Sequence, residues 1–420
     1  MLSTLKFILK DASAISAAKL SNAIATLISL PIVTSSLSVK EYANYEYILL
    51  FILPLQLIIG LNIENSILRY WEEFKLGHTS LARVMLLYTA IFLVLFGTFV
   101  VIKGISSITT ILLILAFVSL CWQTLCLYIR LCNNLIAFYL TSVVPNVAWI
   151  TYLTNASRLN VDTILLSKSA FLFFVTLVSL IITLKLRLPI ANSSNQTDYT
   201  EDRKIIIFSV SLIPSIIVVW LLNVSDRYLI SMLKLDQDLA IYSLHFRIAM
   251  GFKLFVAVAR QTWSKLFFAT NLVQRSNKTV NMAINFVILS VTIIVPVYLL
   301  FSGLFVDFFI VNSYSFDVIL MLAILISLSI SILYTFSCTM YLNDEKISAL
   351  LFYNLLIASA NYVFSYTFIN LFGVIGAPLG SILSLGIMSV VMQWYISGRI
   401  NYILALTTVS SFIIVSILAL

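Results

Sequence analysis

The chain contains thirteen long apolar runs, and this feature restricts its fold more than any other. A helix needs roughly 20 apolar residues to cross a membrane, because each residue adds about 1.5 Å and the hydrocarbon core is about 30 Å thick. The runs lie near residues 12–37, 44–61, 81–102, 107–129, 136–154, 164–186, 205–223, 239–258, 280–302, 318–342, 347–370, 374–396 and 403–420. This pattern predicts an all-α, polytopic membrane protein of about twelve transmembrane helices, with a thirteenth if the last run also spans.

The composition fits a chain whose surface faces lipid. Hydrophobic residues make up 61% of the sequence and charged residues 10%, and the mean hydropathy is +1.07. Soluble domains carry roughly 25% charged residues. So little charge cannot cover a 420-residue protein in water. This excludes a soluble enzyme, a secreted disulfide scaffold and a disordered interaction protein, and we expect no nucleic-acid partner.

Metal-binding and redox chemistry have few candidate ligands. The four cysteines, Cys121, Cys126, Cys132 and Cys338, lie in or beside apolar runs, and none of them forms a CxxC pair. Two histidines are too few for a histidine-based metal site. We therefore expect no metal site and no cofactor.

The distribution of Lys and Arg predicts a cytoplasmic N-terminus. If the connections alternate sides, sixteen of these residues lie in cytoplasmic segments and six in outer ones. This bias satisfies the positive-inside rule. The first apolar run is too long for a cleavable signal peptide, and charged residues such as Lys6 and Lys10 interrupt it.

A polar segment divides the first twelve runs into two sets of six. An even number of helices in each half gives both halves the same orientation, as in transporters built from parallel repeats with the substrate site between them. The pattern acidic-x-Ala-x-Tyr opens the second helix of each half, at residues 41–45 and 238–242. The predicted domains are an N-terminal six-helix lobe at 1–186, a cytoplasmic linker at 187–204, a C-terminal six-helix lobe at 205–398 and a C-terminal apolar segment at 399–420.

The polar connections are too short for a catalytic domain on the outer side. On the cytoplasmic side, residues 259–279 mix basic with aromatic and aliphatic side chains. This mixture is typical of an amphipathic helix that lies on the membrane surface.

Polar residues line one side of three predicted helices. They are Ser16, Lys19, Asn22, Thr26 and Ser29 in the first, Ser327, Ser331, Tyr334, Cys338 and Tyr341 in the tenth, and Asn354, Asn361 and Ser365 in the eleventh. Such residues commonly form hydrogen bonds between membrane helices. Their presence in three helices favours a shared water-filled lumen instead.

Three basic residues fall at membrane depth, where an unpaired charge is expensive. Lys19 and Lys253 either face a cavity or extend to the headgroups, whereas Arg247 is too central for that and is expected to face a cavity. Such a cavity would attract anions, in particular a diphosphate.

Acidic residues and a histidine are candidates for ion coupling or gating. Glu46 lies near the outer end of the second helix and Asp226 at that of the seventh, where it either couples ions or pairs structurally near Arg227. His245 either acts as a proton-linked switch or is a packed polar residue.

The sequence from 30 to 73 resembles the opening of Wzx-type O-antigen and polysaccharide flippases. These belong to the multidrug/oligosaccharidyl-lipid/polysaccharide exporter superfamily. The matching residues are Leu30, Pro31, Leu37, Ser38, Glu41, Tyr42, Tyr45, Gly60, Leu61 and Arg69. Ala43 replaces the glycine that is usual in the family. In the second half, the segments 212–230, 240–248 and 373–381 are also similar.

The resemblance implies a flippase in the bacterial inner membrane. Its substrate would be an oligosaccharide repeat unit of O-antigen or a related surface polysaccharide, linked to undecaprenyl diphosphate. Lys19, Arg247 and Lys253 would bind the diphosphate or acidic sugars, and Arg69 would serve the cytoplasmic entrance. Other implied partners are H⁺ or Na⁺, membrane lipids, a polysaccharide polymerase and a chain-length regulator of lipopolysaccharide biosynthesis.

Three alternatives stay open. A drug or metabolite exporter of the same superfamily would share the fold, but more often carries acidic than basic residues in its cavity. A lipid II flippase usually has fourteen helices. A membrane-bound O-antigen polymerase or ligase commonly has a large outer loop, which this chain does not offer, so we expect a transporter and not an enzyme.

Overall fold

The computed structural model describes residues 20–64, 66–67, 70, 78–103, 107–132, 134–156, 159–185, 199–233, 236–252, 277–310, 314–343, 347–397 and 402–419. Every regular element in these ranges is a helix. The helices are α1 (Leu20–Ser36), α2 (Val39–Leu49), α3 (Ile52–Gly60), α4 (His78–Lys103), α5 (Ser107–Leu131), α6 (Leu135–Asn155), α7 (Val161–Lys185), α8 (Tyr199–Met232), α9 (Asp236–Met250), α10 (Asn277–Phe309), α11 (Val318–Asn343), α12 (Ile347–Phe372), α13 (Gly376–Ser397) and α14 (Tyr402–Ala419).

These helices include nine stretches that are long and apolar enough to cross a membrane within the described ranges. One of them, Ser348–Met392, contains two helices, α12 and α13, and the apolar helices α1 and α14 are shorter. In the described residues, each of the thirteen apolar runs overlaps one or two helices. The prediction of an all-α, polytopic membrane protein of about twelve helices is confirmed.

Exposed apolar side chains cover the outside of these helices. Leu86, Ile136, Leu300 and Phe308 are each at least two-thirds exposed. In water such surfaces would drive aggregation. In a membrane they face lipid, as the composition predicts.

The second apolar run folds as two helices instead of one. Pro54 has no N–H to donate to the carbonyl of Leu50, and the chain accordingly turns between α2 and α3. α3 then ends at Gly60, and Leu61 and Asn62 follow with φ of 45° and 59°. Two consecutive left-handed residues other than glycine are uncommon, and they end the helix at the end of the run.

A glycine permits the reversal between α12 and α13. Gly373 has φ of 62°, a conformation that residues with a Cβ rarely adopt. It begins a single 3₁₀ turn, Gly373–Ile375, which leads directly into α13. The two helices then pack together along their length.

The chain divides into two compact units. The first comprises Met1–Leu37 and Ile48–Ile217, and the second comprises Ser38–Tyr47 and Val218–Leu420. In the first unit, a buried cluster includes Ile59, Tyr88 and Leu120. In the second, clusters form around Leu379 and Ile357. The second unit thus contains most of α2, although α2 comes early in the sequence.

Some predicted segments lie wholly or partly outside the described residues. Of the predicted linker at 187–204, the described part begins at Tyr199 and belongs to α8. Of the predicted surface helix at 259–279, only 277–279 are described, as the start of α10.

Candidate functional site

Three helices of the second unit bring buried charges together. Glu46 on α2 has a side chain that is 1% exposed, and it forms an ion pair with Arg247 on α9. Its other carboxylate oxygen, Oε2, lies 3.9 Å from Nη1 of Arg227 on α8. One buried carboxylate therefore neutralises parts of two guanidinium groups, and it ties α2 to α8 and α9.

Aromatic rings flank both arginines. The guanidinium carbon of Arg247 lies 5.4 Å from the centre of the Tyr45 ring, and that of Arg227 lies 4.7 Å from the centre of the Phe246 ring. A cation over an aromatic face is stabilised by the negative charge of that face, more strongly where water is excluded. These contacts stabilise the two guanidinium groups at positions where lipid could not solvate them.

Four buried hydroxyl groups lie around this charged cluster, on Tyr42, Tyr45, Ser243 and Tyr314. Those of Ser243 and Tyr314 have no hydrogen-bond partner in the described part of the chain, and the same holds for Nε of Arg227 and for Oε1 of Glu46, which pairs with Arg247 by charge. The rings of Tyr42 and Tyr45 lie 6.4 Å apart, and those of Tyr42 and Tyr314 lie 5.8 Å apart. We call Glu46, Arg227, Arg247 and these four hydroxyl residues the arginine cluster.

Asp226, beside Arg227 on α8, occupies a different environment. Its carboxylate accepts hydrogen bonds from the hydroxyl of Tyr242 at 2.8 Å, from Ser381 at 3.4 Å and from Ser365 at 3.5 Å. The sequence left open whether Asp226 pairs structurally near Arg227. In the structure, three hydroxyl groups from three other helices hold its carboxylate.

Asn361 extends this network across α8, α12 and α13. It accepts a hydrogen bond from Ser225 at 2.7 Å, and its amide donates to Ser381 at 2.9 Å and to Ser384 at 3.1 Å. The Asp226 network, as we call Asp226, Asn361 and these hydroxyl partners, is thus built from oxygen and amide groups.

The polar side of α12 does not face a water-filled lumen. Asn354, Asn361 and Ser365 are 2%, 1% and 0% exposed. Asn354 accepts a hydrogen bond from Tyr334 on α11, and Ser365 donates to the carbonyl of Ala377 on α13. For this helix the lumen prediction is wrong, because its polar side chains satisfy one another between packed helices.

His245 is fully buried in α9, and both of its ring nitrogens are engaged. Nδ1 lies 2.8 Å from the carbonyl of Ile241, and Nε2 accepts a hydrogen bond from the backbone N–H of Asp317 at 2.9 Å. The ring stacks on Phe316 at 5.4 Å. A neutral imidazole with its proton on Nδ1 fits both bonds, so this geometry supports the packed-residue alternative.

One acidic residue of the first unit, Glu64, was not among the predicted site residues. Glu64 follows the left-handed break at Leu61 and Asn62, and it accepts a hydrogen bond from Thr124 on α5 at 2.9 Å. The available signal was an acidic side chain next to an apolar run. The left-handed break that precedes Glu64 was not recognisable from the sequence.

The predicted site residues separate into three groups. Lys19, Arg69 and Lys253 lie outside the described residues. Glu46 and Arg247 are in contact with each other. Asp226 is the neighbour of Arg227 in the same unit but is held by hydroxyl groups, and His245 packs against residues 316 and 317. Within the described ranges, no group of three or more His, Cys, Asp or Glu residues could hold a metal ion.

No protein-family model and no curated protein sequence matches the chain. Several solved structures do. The lipid II flippase MurJ in an inward closed conformation is 14% identical, with a TM-score of 0.65 over 97% of this chain and 92% of that one. A MATE transporter in complex with MaL6 is 14% identical, with a TM-score of 0.63 over 94% of this chain and 96% of that one.

A third structure is described as an outward-facing MATE family multidrug resistance transporter of the MOP superfamily. It is 14% identical, with a TM-score of 0.58 over 94% of this chain and 96% of that one. At this level of identity the likeness concerns the fold. The chain is a multi-pass membrane protein with the fold that MurJ and MATE transporters share.

Proposed function

We propose that this protein is a flippase for undecaprenyl-diphosphate-linked oligosaccharide repeat units, acting from the cytoplasmic to the outer leaflet of a bacterial inner membrane. The observation that carries the proposal is the fold likeness to a lipid II flippase, which covers 97% of this chain and 92% of that one. Shared fold does not define a substrate. The substrate class rests on the resemblance to Wzx-type flippases between residues 30 and 73.

A cationic route for the diphosphate is the second part of the proposal. Lys19, Arg69, Arg247 and Lys253 are its candidate residues. Guanidinium groups bind phosphate oxygens through paired, charge-assisted hydrogen bonds, and Arg247 carries such a group on a helix of the second unit. The two lobes predicted at 1–186 and 205–398 would open alternately to each side of the membrane, with the N-terminus in the cytoplasm.

Asp226 is our candidate for ion coupling. Its surroundings of hydroxyl oxygens suit a proton or Na⁺, since hard cations prefer oxygen ligands. Glu46 is less suited to this role because it already pairs with Arg247. His245 is also less suited, since both of its nitrogens are engaged.

A drug or metabolite exporter is the second candidate function. It is favoured by the likeness to MATE transporters, whose TM-score of 0.63 is close to that of the lipid II flippase. An exporter of this kind would move a free amphipathic molecule and would not need a lipid-linked substrate. Export of such molecules from intact cells separates the two functions.

The test combines a gene deletion with reconstitution. Deletion cells should accumulate undecaprenyl-linked repeat unit and carry lipid A-core without attached repeats. Core with a single repeat would indicate a polymerase instead and would contradict the proposal.

In vesicles, the purified protein should move the lipid-linked repeat to the opposite leaflet. Arg247→Ala and Lys253→Ala should each lower the rate at least about tenfold, since one lost charge-assisted contact of about 1.4 kcal/mol or more has that effect. Lys204→Ala removes an exposed basic residue at the start of α8 and serves as the control. Wild-type rates in both Arg247→Ala and Lys253→Ala would contradict the cationic route.

A further inference from the structure

We propose that a cavity at one membrane surface of the first unit binds an anionic phospholipid, with part of an acyl chain inside it and the phosphate on Arg83 at its edge. The cavity has a volume of about 230 Å³. Its walls belong to the first unit, whereas Glu46, Asp226 and His245 belong to the second. The ligand is therefore additional to the substrate proposed above and does not depend on it.

The cavity lies where three membrane spans begin or end. Its walls include Ser80 on α4, Tyr128 on α5 and Ile205 on α8. Ser80 and Ile205 lie at or near the first residue of their spans, and Tyr128 lies three residues before the end of its span. Since successive spans alternate in direction, these ends belong to one membrane surface. The distribution of Lys and Arg predicts that this surface is the cytoplasmic one.

Most of the cavity wall is apolar. Ile63 and Ile67 form part of it, and Leu81 and Tyr128 belong to a buried hydrophobic cluster at its base. An apolar protein cavity of about 150 Å³ is large enough to bind benzene. This cavity therefore has room for a segment of a hydrocarbon chain. Such a chain gains packing contacts there, because bulk lipid is already as apolar as the wall.

The face of α4 that lines the cavity changes from polar to apolar along the helix. Ser80 and Arg83 lie in its first two turns, and Val84 and Leu87 follow deeper in the span. Spacings of three, four and seven residues place these side chains on one face of a helix. A phospholipid has the same order, with its phosphate at the membrane surface and its acyl chains below.

Arg83 gives the site its preference for an anion. Arg83 and Ile206 both line the cavity and are exposed, so the cavity is open on their side. A guanidinium group can hold a phosphate through two parallel hydrogen bonds. The acidic residue Glu64 follows a lining residue in the sequence, but it accepts a hydrogen bond from Thr124 and is not part of the wall.

A phospholipid with one net negative charge fits this site better than a zwitterionic lipid. Among the described residues that line the cavity, Arg83 is the charged one. Residues 201–204, at the start of α8, comprise two acidic and two basic residues and add no net charge. Phosphatidylglycerol carries one phosphate charge that nothing in its headgroup offsets. In phosphatidylcholine, the ammonium group cancels that charge.

The test measures lipid binding to the purified full-length protein by native mass spectrometry in a non-ionic detergent. We expect the wild type to bind phosphatidylglycerol about fivefold more tightly than phosphatidylcholine, since a basic residue near the membrane surface attracts anionic lipid by about that factor. Arg83→Ala should abolish this preference. Lys185→Ala, which removes an exposed basic residue at the end of α7, is the matched control and should keep it. Equal affinities in the wild type, or a preference that Arg83→Ala retains, would overturn the proposal.

A second variant fills the cavity without changing the charge. Val84→Phe should lower the affinity for both lipids severalfold, because close-packed walls leave no room for both a ring and an acyl chain. Val94→Phe is the matched control, since Val94 is an exposed residue of the same helix outside the cavity. Equal binding by the two variants would contradict the proposal. If Val84→Phe does not elute as a folded species, Leu87→Phe tests the same wall, and unchanged binding there would overturn the proposal equally.

Two competitors identify the occupant. Glycerophosphoglycerol, which is the headgroup without acyl chains, should bind far more weakly than the whole lipid; equal binding would contradict a role for the cavity. Undecaprenyl phosphate should not displace phosphatidylglycerol at equal concentration. Displacement would assign the cavity to a prenyl lipid and overturn the proposal. None of these measurements uses a lipid-linked oligosaccharide, so failure of the flipping assay would leave the phospholipid site standing.

Discussion

Glu46 and Asp226 are two buried carboxylates of the same unit, and they are held in opposite ways. Glu46 lies against two guanidinium groups, with the rings of Tyr42 and Tyr45 beside the ion pair. Asp226 accepts hydrogen bonds from three hydroxyl groups, within a network in which Asn361 also has its partners. The first environment is dominated by charged groups, and the second by hydrogen bonds from neutral ones.

The difference separates two kinds of chemistry. A carboxylate paired with arginines can be replaced by another anion, because the cations remain when it leaves. A carboxylate held by hydroxyl groups can gain a proton or a hard cation, because hydroxyls both donate and accept. Under the function proposed above, the arginines are therefore our candidates for substrate contact, and Asp226 is our candidate for ion coupling. Four substitutions examine this assignment, beginning with the largest expected effect.

Arg247→Ala should destabilise the protein by about 3–5 kcal/mol, since it leaves the buried Glu46 carboxylate with only the more distant Arg227. The unfolding free energy or midpoint in detergent or nanodiscs measures this. The double variant Glu46→Gln with Arg247→Ala should recover part of the loss, because no uncompensated anion remains. A loss under about 1 kcal/mol in Arg247→Ala would mean that the ion pair is solvated. The description of Glu46 as a buried, charge-paired carboxylate would then be wrong.

Asn361→Ala should cost about 1–3 kcal/mol, because it leaves several buried serine hydroxyls without their partner. Asn370→Ala on the same helix is the control, since Asn370 is exposed and bonds its own helix at Tyr366. The same unfolding measurement compares the two. Equal effects would show that the Asp226 network is not closely matched.

Asp226→Asn should change stability by only about 1 kcal/mol, because an amide can still accept from Tyr242 and donate to a serine oxygen. It should nevertheless abolish any dependence of vesicle transport on a proton or Na⁺ gradient, since the amide carries no charge. Asp238→Asn, a partly exposed acid at the start of α9, is the control and should keep that dependence. Retained coupling in Asp226→Asn would move the coupling site elsewhere.

Glu64→Gln should have the smallest effect, below about 1 kcal/mol, because the amide oxygen can still accept from Thr124. Gradient dependence should be unchanged if Asp226 alone couples ions. Loss of that dependence in Glu64→Gln, measured in the same vesicles, would place the coupling carboxylate in the first unit.

The sequence was sufficient to place the helices. Apolar runs of about 20 residues report directly on the thickness of the membrane, so each run coincides with one or two helices. It was not sufficient for the break at Leu61 and Asn62. Leucine rarely adopts a left-handed conformation, and asparagine, although enriched there, is also common in other local structures.

Contacts between side chains of different helices were harder to predict than the positions of the helices in the chain. The sequence selected Glu46 and Arg247 separately, as a carrier and as a cavity residue, but their contact joins segments about 200 residues apart in the chain. The polar side of α12 was visible from its spacing. Whether it faced water or another helix depended on Ser225, Ser381 and Ser384, which the periodicity of α12 could not reveal.

During biosynthesis, Val39–Gly60 enters the membrane-insertion machinery as one apolar segment of 22 residues. A segment that enters lipid alone must satisfy its backbone groups internally, which a continuous helix does. In the folded protein, Gly60 lies so close to α5 that a Cβ there would be 2.8 Å from Cδ1 of Leu120. This close contact can form only when inserted helices assemble, so any side chain larger than hydrogen at residue 60 would obstruct the packing of α3 on α5 after both helices have entered the membrane.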